Sequence, residues 1–427
     1  MSAFVLHDRT AAALILFLSA TAPALAQQTP TPTLVDAEHA KAAADRRIGN
    51  VHEALRIQRA KEAADQTEAD GVYRDYLDAK NWLARYGLTV QIAPTVMNQW
   101  GAPRGGKPAF QWILAPNINW NAFQSDTIGQ GSIQFSYSFN RYGSSQSGAS
   151  LTARLRAITT VNDTPINLPT FNQLTYTHVL PGNMLQFTLG QFEISSFDTN
   201  QYANNQQQNF INYALAQNGS QAYDMASLGA YAQINATKTL SFAAGFQDAN
   251  NVTGQRIQFS TFGNGQYAWF GYAQWRPVIS GLGASQFSLL FYQQPKVPVQ
   301  MQASQGWSLN LVQNINDKWA IFARANTATG AISPIASSLA GGFIINNPLG
   351  GTRGDQIGVG AAWNKTNTAF FNGMRLRPSE FVVETYWNVV WQKILQIGPS
   401  VQVIFNPALQ PGAPAAGVFT LRASGLI

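Results

Sequence analysis

The sequence predicts an all-β transmembrane barrel, antiparallel and of about 16 strands, preceded by an N-terminal periplasmic α-helical segment. Three observations carry this. The first 26 residues have the build of an export signal. From Leu88 onward apolar residues recur at a period of two. The chain is also poor in charge. Only 11% of its 427 residues are Asp, Glu, Lys or Arg, against roughly 25% in an average soluble domain. Yet 45% are apolar and the mean hydropathy is -0.11. Asn, Gln, Ser, Thr and Gly have taken the place of charge, as suits a sheet with one face in lipid and one in water.

Arg9 supplies the positive start of the signal, and Ala11 to Thr21 form its apolar run. That run is too short to span a bilayer as a helix. Pro23-Ala24-Leu25-Ala26 gives the small-x-small pattern, so cleavage is expected after Ala26. No later stretch holds eighteen consecutive apolar residues. An exported chain of this kind is periplasmic, extracellular or an outer-membrane barrel.

Residues 27–33 are a polar, Pro-rich linker, and 34–86 are rich in helix formers. The helical segment carries ten acids and nine bases, which leaves ten acids and 17 bases for 87–427. A nearly neutral, densely charged arm is thus expected to precede a sparsely charged, basic barrel. Ile48, Val51 and Leu55, with Gln58 next in the series, follow a three-four spacing that suggests a short coiled-coil seam. Gly49-Asn50 and Asp70-Gly71 are candidate breaks. Val72, Tyr76 and Leu83 suggest a second apolar face nearer the barrel. A solvated helix and a tethering or trimerising helix both fit this pattern.

Strict alternation marks the strands. Ile133, Phe135, Tyr137 and Phe139 alternate with amides and serines, and Leu240, Phe242, Ala244 and Phe246 repeat the pattern. Trp319, Ile321 and Ala323 lie opposite Ala320, Phe322 and Arg324. Ile357, Val359, Ala361 and Trp363 lie opposite Gln356, Gly358 and Gly360. Leu151, Ala153, Leu155 and Ala157 against Thr152, Arg154, Arg156 and Ile158 read the same way. A soluble sandwich would alternate too. Two features weigh against it: aromatic residues such as Trp120, Trp275, Trp319 and Trp363 near strand ends, and polar faces made of amides rather than Lys and Glu. Connections near 235–239, 314–318 and 364–367 read as tight turns of the periplasmic rim. Ser195–Ala226 and roughly Thr327–Thr352 read as long ones. About 340 residues at roughly 20 per strand give ~16 strands, a size that leaves an aqueous channel. Val418 to Ile427 reads as the closing strand, with Phe419, Leu421, Ala423 and Ile427 on one face.

Composition excludes much chemistry. There is no cysteine, hence no disulfide, thiolate metal site or cysteine nucleophile. Four histidines (His7, His39, His52 and His178) are too few for a multi-histidine metal site, and no cofactor is expected. The net charge is +6, but the basic residues are not gathered into a nucleic-acid patch.

Three stretches resemble the carbohydrate-selective porin family, the OprB type. The first runs from Tyr76-Leu77 through Asn81-Trp82-Leu83-Ala84-Arg85-Tyr86-Gly87-Leu88. The second is Gly190-Gln191-Phe192-Glu193, then Asp198, Asn209-Phe210-Ile211-Asn212-Tyr213-Ala214-Leu215, Leu228-Gly229-Ala230 and Gly245-Phe246-Gln247-Asp248-Ala249-Asn250. The third is Glu384-Thr385-Tyr386-Trp387 with Ile397-Gly398-Pro399-Ser400-Val401-Gln402-Val403-Ile404-Phe405-Asn406-Pro407. The resemblance implies an outer-membrane homotrimer that passes small neutral sugars and contacts outer-membrane lipids.

No catalytic residue is expected. A pore needs a constriction whose groups replace water around the solute. Arg154, Arg156, Arg324 and Glu384 fall on the polar parity and are expected in the lumen, where an Arg avoids the 2–4 kcal/mol or so it would cost on the lipid face. Wall ion pairs away from the narrowest point fit equally. Glu193 falls on the apolar parity, so a bulge or a position above the membrane is expected there. Asp198 and the amide run Asn204, Asn205, Gln206, Gln207 and Asn209, followed by Phe210, lie in a long connection that can fold inward or remain an ordinary outer loop. Two other readings stay in view: a structural or secretion barrel whose arm docks a periplasmic partner, and a barrel lipid hydrolase using His178.

Overall fold

In a computed structural model the described residues are 71–198, 200–223, 225–350, 354–372 and 374–425. The signal, the linker and the Ile48–Gln58 seam lie outside them. Sixteen antiparallel strands close into one barrel. They are β1 (Leu88–Ala102), β2 (Ala109–Ser125), β3 (Gly129–Tyr142), β4 (Thr170–Val179), β5 (Leu185–Phe192), β6 (Ser227–Asn235), β7 (Leu240–Asp248) and β8 (Tyr267–Trp275). The second half comprises β9 (Ser285–Gln294), β10 (Ser304–Asn314), β11 (Trp319–Ala328), β12 (Ile335–Asn346), β13 (Gln356–Thr366), β14 (Ser379–Trp391), β15 (Leu395–Phe405) and β16 (Ala415–Gly425). Every strand pairs with its sequence neighbour, and β1 closes the ring on β16 with Val96 opposite Ala423. Closure removes the open edge that hydrocarbon would not tolerate.

Polarity is inverted relative to a soluble fold. Along β11, Trp319 and Ile321 are exposed while Ala320, Phe322 and Arg324 are buried. Along β16, Phe419 and Leu421 face out while Thr420, Arg422 and Ser424 face in. Trp120, Trp275, Trp319 and Trp363 are all exposed near strand ends, where ring edges meet headgroups.

The connections sort by length to opposite ends. One end carries short links such as 236–239 and 315–318. The other carries 103–108, 143–169, 193–226, 249–266 and 367–378. The α1 helix (Gly71–Ala84) leads into β1 at the short-turn end. Its buried contact is made by Tyr73 and Leu77, which pack with Ile394 of the β14–β15 turn. Tyr76 of the expected face packs beside them, half-buried, and Leu83 is half-buried too, so the expected face is met in part.

Three other expectations are corrected. Leu151–Ala157 is not a strand: α2 (Gly148–Leu155) occupies it, capped by Ser147, whose hydroxyl accepts from the Ser150 N–H. Leu151 and Leu155 fit a helix at i, i+4 as well as alternation at two, and the cap decides. The stretch Thr327–Thr352 contains β12, whose small residues (Ser337, Ser338, Gly341, Gly342) concealed the alternation. Residues 364–367 are not a short turn, since β13 runs to Thr366 and the connection extends over 367–378 at the long-loop end.

Candidate functional site

Two long connections enter the barrel and lie against its inner wall. The β3–β4 segment (143–169) contains α2. Its Leu151, Leu155, Ala157 and Val161 pack on inward residues Val382, Ile404, Ala416 and Val418 of β14–β16. The β5–β6 segment (193–226) opens with a 3-10 turn, Ile194–Phe197, and contains α3 (Tyr213–Ala216). Phe192, Ile194 and Phe197 pack on Tyr231, Phe270 and Tyr292. Tyr202, Phe210 and Leu215 pack on Phe322, Ile344 and Tyr386.

Charged residues of the wall hold these segments by backbone groups. The Glu384 carboxylate of β14 accepts from the N–H groups of Ile211 (2.9 Å) and Asn212 (2.8 Å), and from the Ser400 hydroxyl (2.8 Å). Arg422 of β16 donates to the carbonyls of Gln206 and Asn209 and to Asn388 Oδ1. Arg324 of β11 donates to the carbonyls of Ala203 (2.5 Å) and Asp198 (3.3 Å) and to Asn310 Oδ1 (2.7 Å). Asp198 in turn accepts from Asn310 (2.8 Å) and Asn218 (2.7 Å). Four residues before Glu384 on the same strand face, Glu380 clips the other segment: it accepts from the N–H groups of Ile158 and Thr159, and from that of Ala408 in the β15–β16 loop, at 3.0–3.1 Å. A carboxylate is well suited to this, because it can receive several backbone donors at once.

The segments also meet each other. The Tyr213 N–H donates to the Thr160 carbonyl (3.1 Å), the Asp163 N–H donates to Gln206 Oε1 (3.0 Å), and Gln206 Nε2 donates to Thr164 Oγ1. Amides fasten them to the remaining wall. Gln99 and Gln402 both donate to the Val161 carbonyl, and Gln207 donates to Ala93 O and Thr95 Oγ1. The inner face of β7–β16 and β1 is therefore largely covered. On β2–β6 the segments also make contact, as Gln111 and Tyr142 donate to the Thr164 carbonyl and Tyr231 packs on Phe197. The other inward groups of these strands bond one another, as in Gln134 accepting from Thr175 and Thr177, Thr177 meeting Thr188, and Gln186 donating to Gln233.

The family-model description "Carbohydrate-selective porin, OprB family" matches residues 130–424. Porin AaxA of Chlamydia abortus is 34% identical over 343 residues, covering 78% of this chain and 76% of that protein. Porin AaxA of Chlamydia pneumoniae is 34% identical over 318 residues, covering 74% and 72%. In fold, the high pH structure of Pseudomonas putida OprB superposes with a TM-score of 0.68 at 14% identity, over 82% of this chain and 97% of that one. The chain belongs to the OprB family of carbohydrate-selective porins.

In this OprB-family porin the sequence-selected residues part into three groups. Arg324, Glu384 and Asp198 are buried within the network that seats the β5–β6 segment. Asn204, Asn205, Gln206, Gln207, Asn209 and Phe210 lie on that segment: Gln206, Asn209 and Phe210 are buried, and Asn204, Asn205 and Gln207 are partly exposed. Glu193 escapes its parity conflict because β5 stops at Phe192, and its carboxylate accepts from the Ser195 hydroxyl (2.9 Å). Arg154 and Arg156, expected on the inward face of a strand, join neither the network nor the segment. Both are exposed at the end of α2, with Arg156 in the left-handed C-cap conformation at φ 59°. His178 faces outward, hydrogen-bonded to the Tyr176 hydroxyl (2.9 Å) and the Ile128 carbonyl (2.8 Å). Family and fold are those of channels. Glu380 and Arg422 were not singled out from the sequence. Their signal was a charge on the inward parity of a strand, which lipid cost alone marks as internal.

Proposed function

We propose that this porin passes small neutral solutes, mono- or oligosaccharides foremost, by passive diffusion across the outer membrane. The long-loop end faces outward in this reading, and α1 lies on the periplasmic side. One observation carries it: the wall of β2–β6 has no inward charge. Across all of β2–β6 the only Asp, Glu, Lys or Arg is Arg141, and it sits on the outward parity. The inward groups are amides and hydroxyls, which can exchange hydrogen bonds with sugar hydroxyls as water does. The wall charges opposite are buried and committed to holding loop backbone, so they offer little to an ionic solute.

The test is swelling of liposomes carrying the purified protein. Glucose and a disaccharide should enter faster than in protein-free vesicles, and at rates comparable to neutral amino acids of the same size. Sugar entry at the protein-free rate, with ions still passing, would overturn the reading.

A further inference from the structure

At the long-loop end a cavity of 330 Å³ lies between the β1–β2 loop, the end of α2 and the β15–β16 loop. That volume falls in the range of small-ligand sites, about 300–1,000 Å³. Arg104 and Arg154 line it, together with Leu155, Pro407, Gln410 and Ala416. Leu155 and Ala416 belong to the apolar contact between α2 and the inner wall, so the cavity borders the inserted β3–β4 segment.

The loops around it brace one another. Arg104 Nη1 donates to Gln410 Oε1 (3.3 Å), the Leu409 N–H to the Arg156 carbonyl (3.0 Å), and Arg377 Nη2 to the Ala413 carbonyl (3.3 Å). The β1–β2 loop is shaped around the Arg154 guanidinium: at Gly106, φ is +73°, and a Cβ there would sit 3.1 Å from Arg154 Cζ and Nε. Arg104, Arg154, Arg156 and Arg375 are exposed at this end.

None of the carboxylates described at this end lines the cavity. Among the described residues, each accepts from neutral donors: Asp163 from Thr164, Glu193 from Ser195, Asp198 from Asn218 and Asn310, Asp248 from Asn250 and Thr261, and Glu380 from three backbone N–H groups. A concave site lined by Arg104 and Arg154, with no carboxylate among its described lining residues, suits an anion of planar, bidentate geometry.

The geometry points to an anion-capture site here, one that concentrates carboxylate- or phosphate-bearing solutes such as sugar acids at the mouth ahead of the neutral passage. This rests on the sugar-porin reading and extends its solute class. Arg104 and Arg154 act by binding and by steering, a long-range effect that salt suppresses: the screening length falls from about 10 Å at 0.1 M to about 3 Å at 1 M.

The experiment compares glucuronate and glucose influx into phosphatidylcholine vesicles carrying the full chain or its Arg104→Gln/Arg154→Gln variant. At low ionic strength the wild type should take up glucuronate about tenfold faster than the variant does. Glucose influx should be equal in both, which also reports an intact barrel, and the difference should vanish in 1 M salt. Arg104→Lys/Arg154→Lys should recover most of the steering.

Equal glucuronate rates in wild type and variant would overturn the site and leave the sugar reading standing. An effect seen only when anionic lipid is added would assign the cavity to a lipid headgroup and overturn it as well. If glucose fails to enter at all, the sugar reading falls. Reversal potentials in a KCl gradient then decide the anion site alone: a chloride preference lost in the variant supports it, and equal potentials overturn it.

Discussion

Glu384 receives two successive backbone N–H groups of the β5–β6 segment, and its neutral isostere cannot do the same. In Glu384→Gln one carboxylate oxygen becomes an NH₂ group that must face a backbone donor. A hydrogen bond to a charged group is worth about 1.5–3 kcal/mol, and an unpaired buried donor adds to the loss. The segment should loosen around Ile211 and Asn212, so single-channel conductance in planar bilayers should rise and become noisier. Glu380→Gln is the matched control, because it releases Ile158, Thr159 and Ala408 instead. If both variants conduct like the wild type, the carboxylates do not set the opening. Glu384 and Glu380 thus commit their carboxylates to loop backbone. Sequence parity places such a residue inside the barrel, but it cannot say that its partner is a peptide N–H some 170 residues away.

At the level of elements, strands were the legible part. The alternation at Ile133–Phe139, Leu240–Phe246 and Ile357–Trp363 is a local property, so one window suffices to read it. The inserted segments are not local. Leu151–Ala157 fits period two and i, i+4 alike, and only the Ser147 cap and the inner wall resolve it. Where those segments meet, Asp163 and Glu193 are largely buried acids with altered titration. Burial pushes the Glu193 carboxyl up to about 7, with the charge of Asp163 adding to it, and burial holds Asp163 at about 6. The folded protein then binds protons that an unfolded chain has already lost. Their contribution to stability is fully present below the ordinary carboxylate range and is lost as pH rises through 6 and 7. Two negative charges also appear on the inserted segments over that window. The potassium-over-chloride preference should therefore increase from pH 5 to pH 8, and Glu193→Gln should remove much of the increase. A reversal potential that stays flat with pH in the wild type would show that neither carboxyl faces the ion path.

Over the whole molecule, closure and inverted polarity belong to the same solution. Lipid forbids an open sheet edge, so β1 must find β16, and once closed the sheet has an outside that needs apolar side chains and an inside that can hold buried Arg and Glu. Leu309 and Gln305 of β10 test this inversion, because both face outward at different depths. Leu309 is the central residue of its strand, opposite Leu289 and Ala325, while Gln305 is next to the strand's end at the long-loop side. Arg on the outward face of a barrel costs about 2–4 kcal/mol at the bilayer midplane and about 0–1 near the interface. Urea unfolding from lipid vesicles should therefore show Leu309→Arg destabilised by about 2–4 kcal/mol and Gln305→Arg nearly unchanged. Equal losses at the two positions would place the outward band in water. That result would remove the reason for closure, for the exposed tryptophans at the strand ends, and for confining Arg324 and Arg422 to the interior.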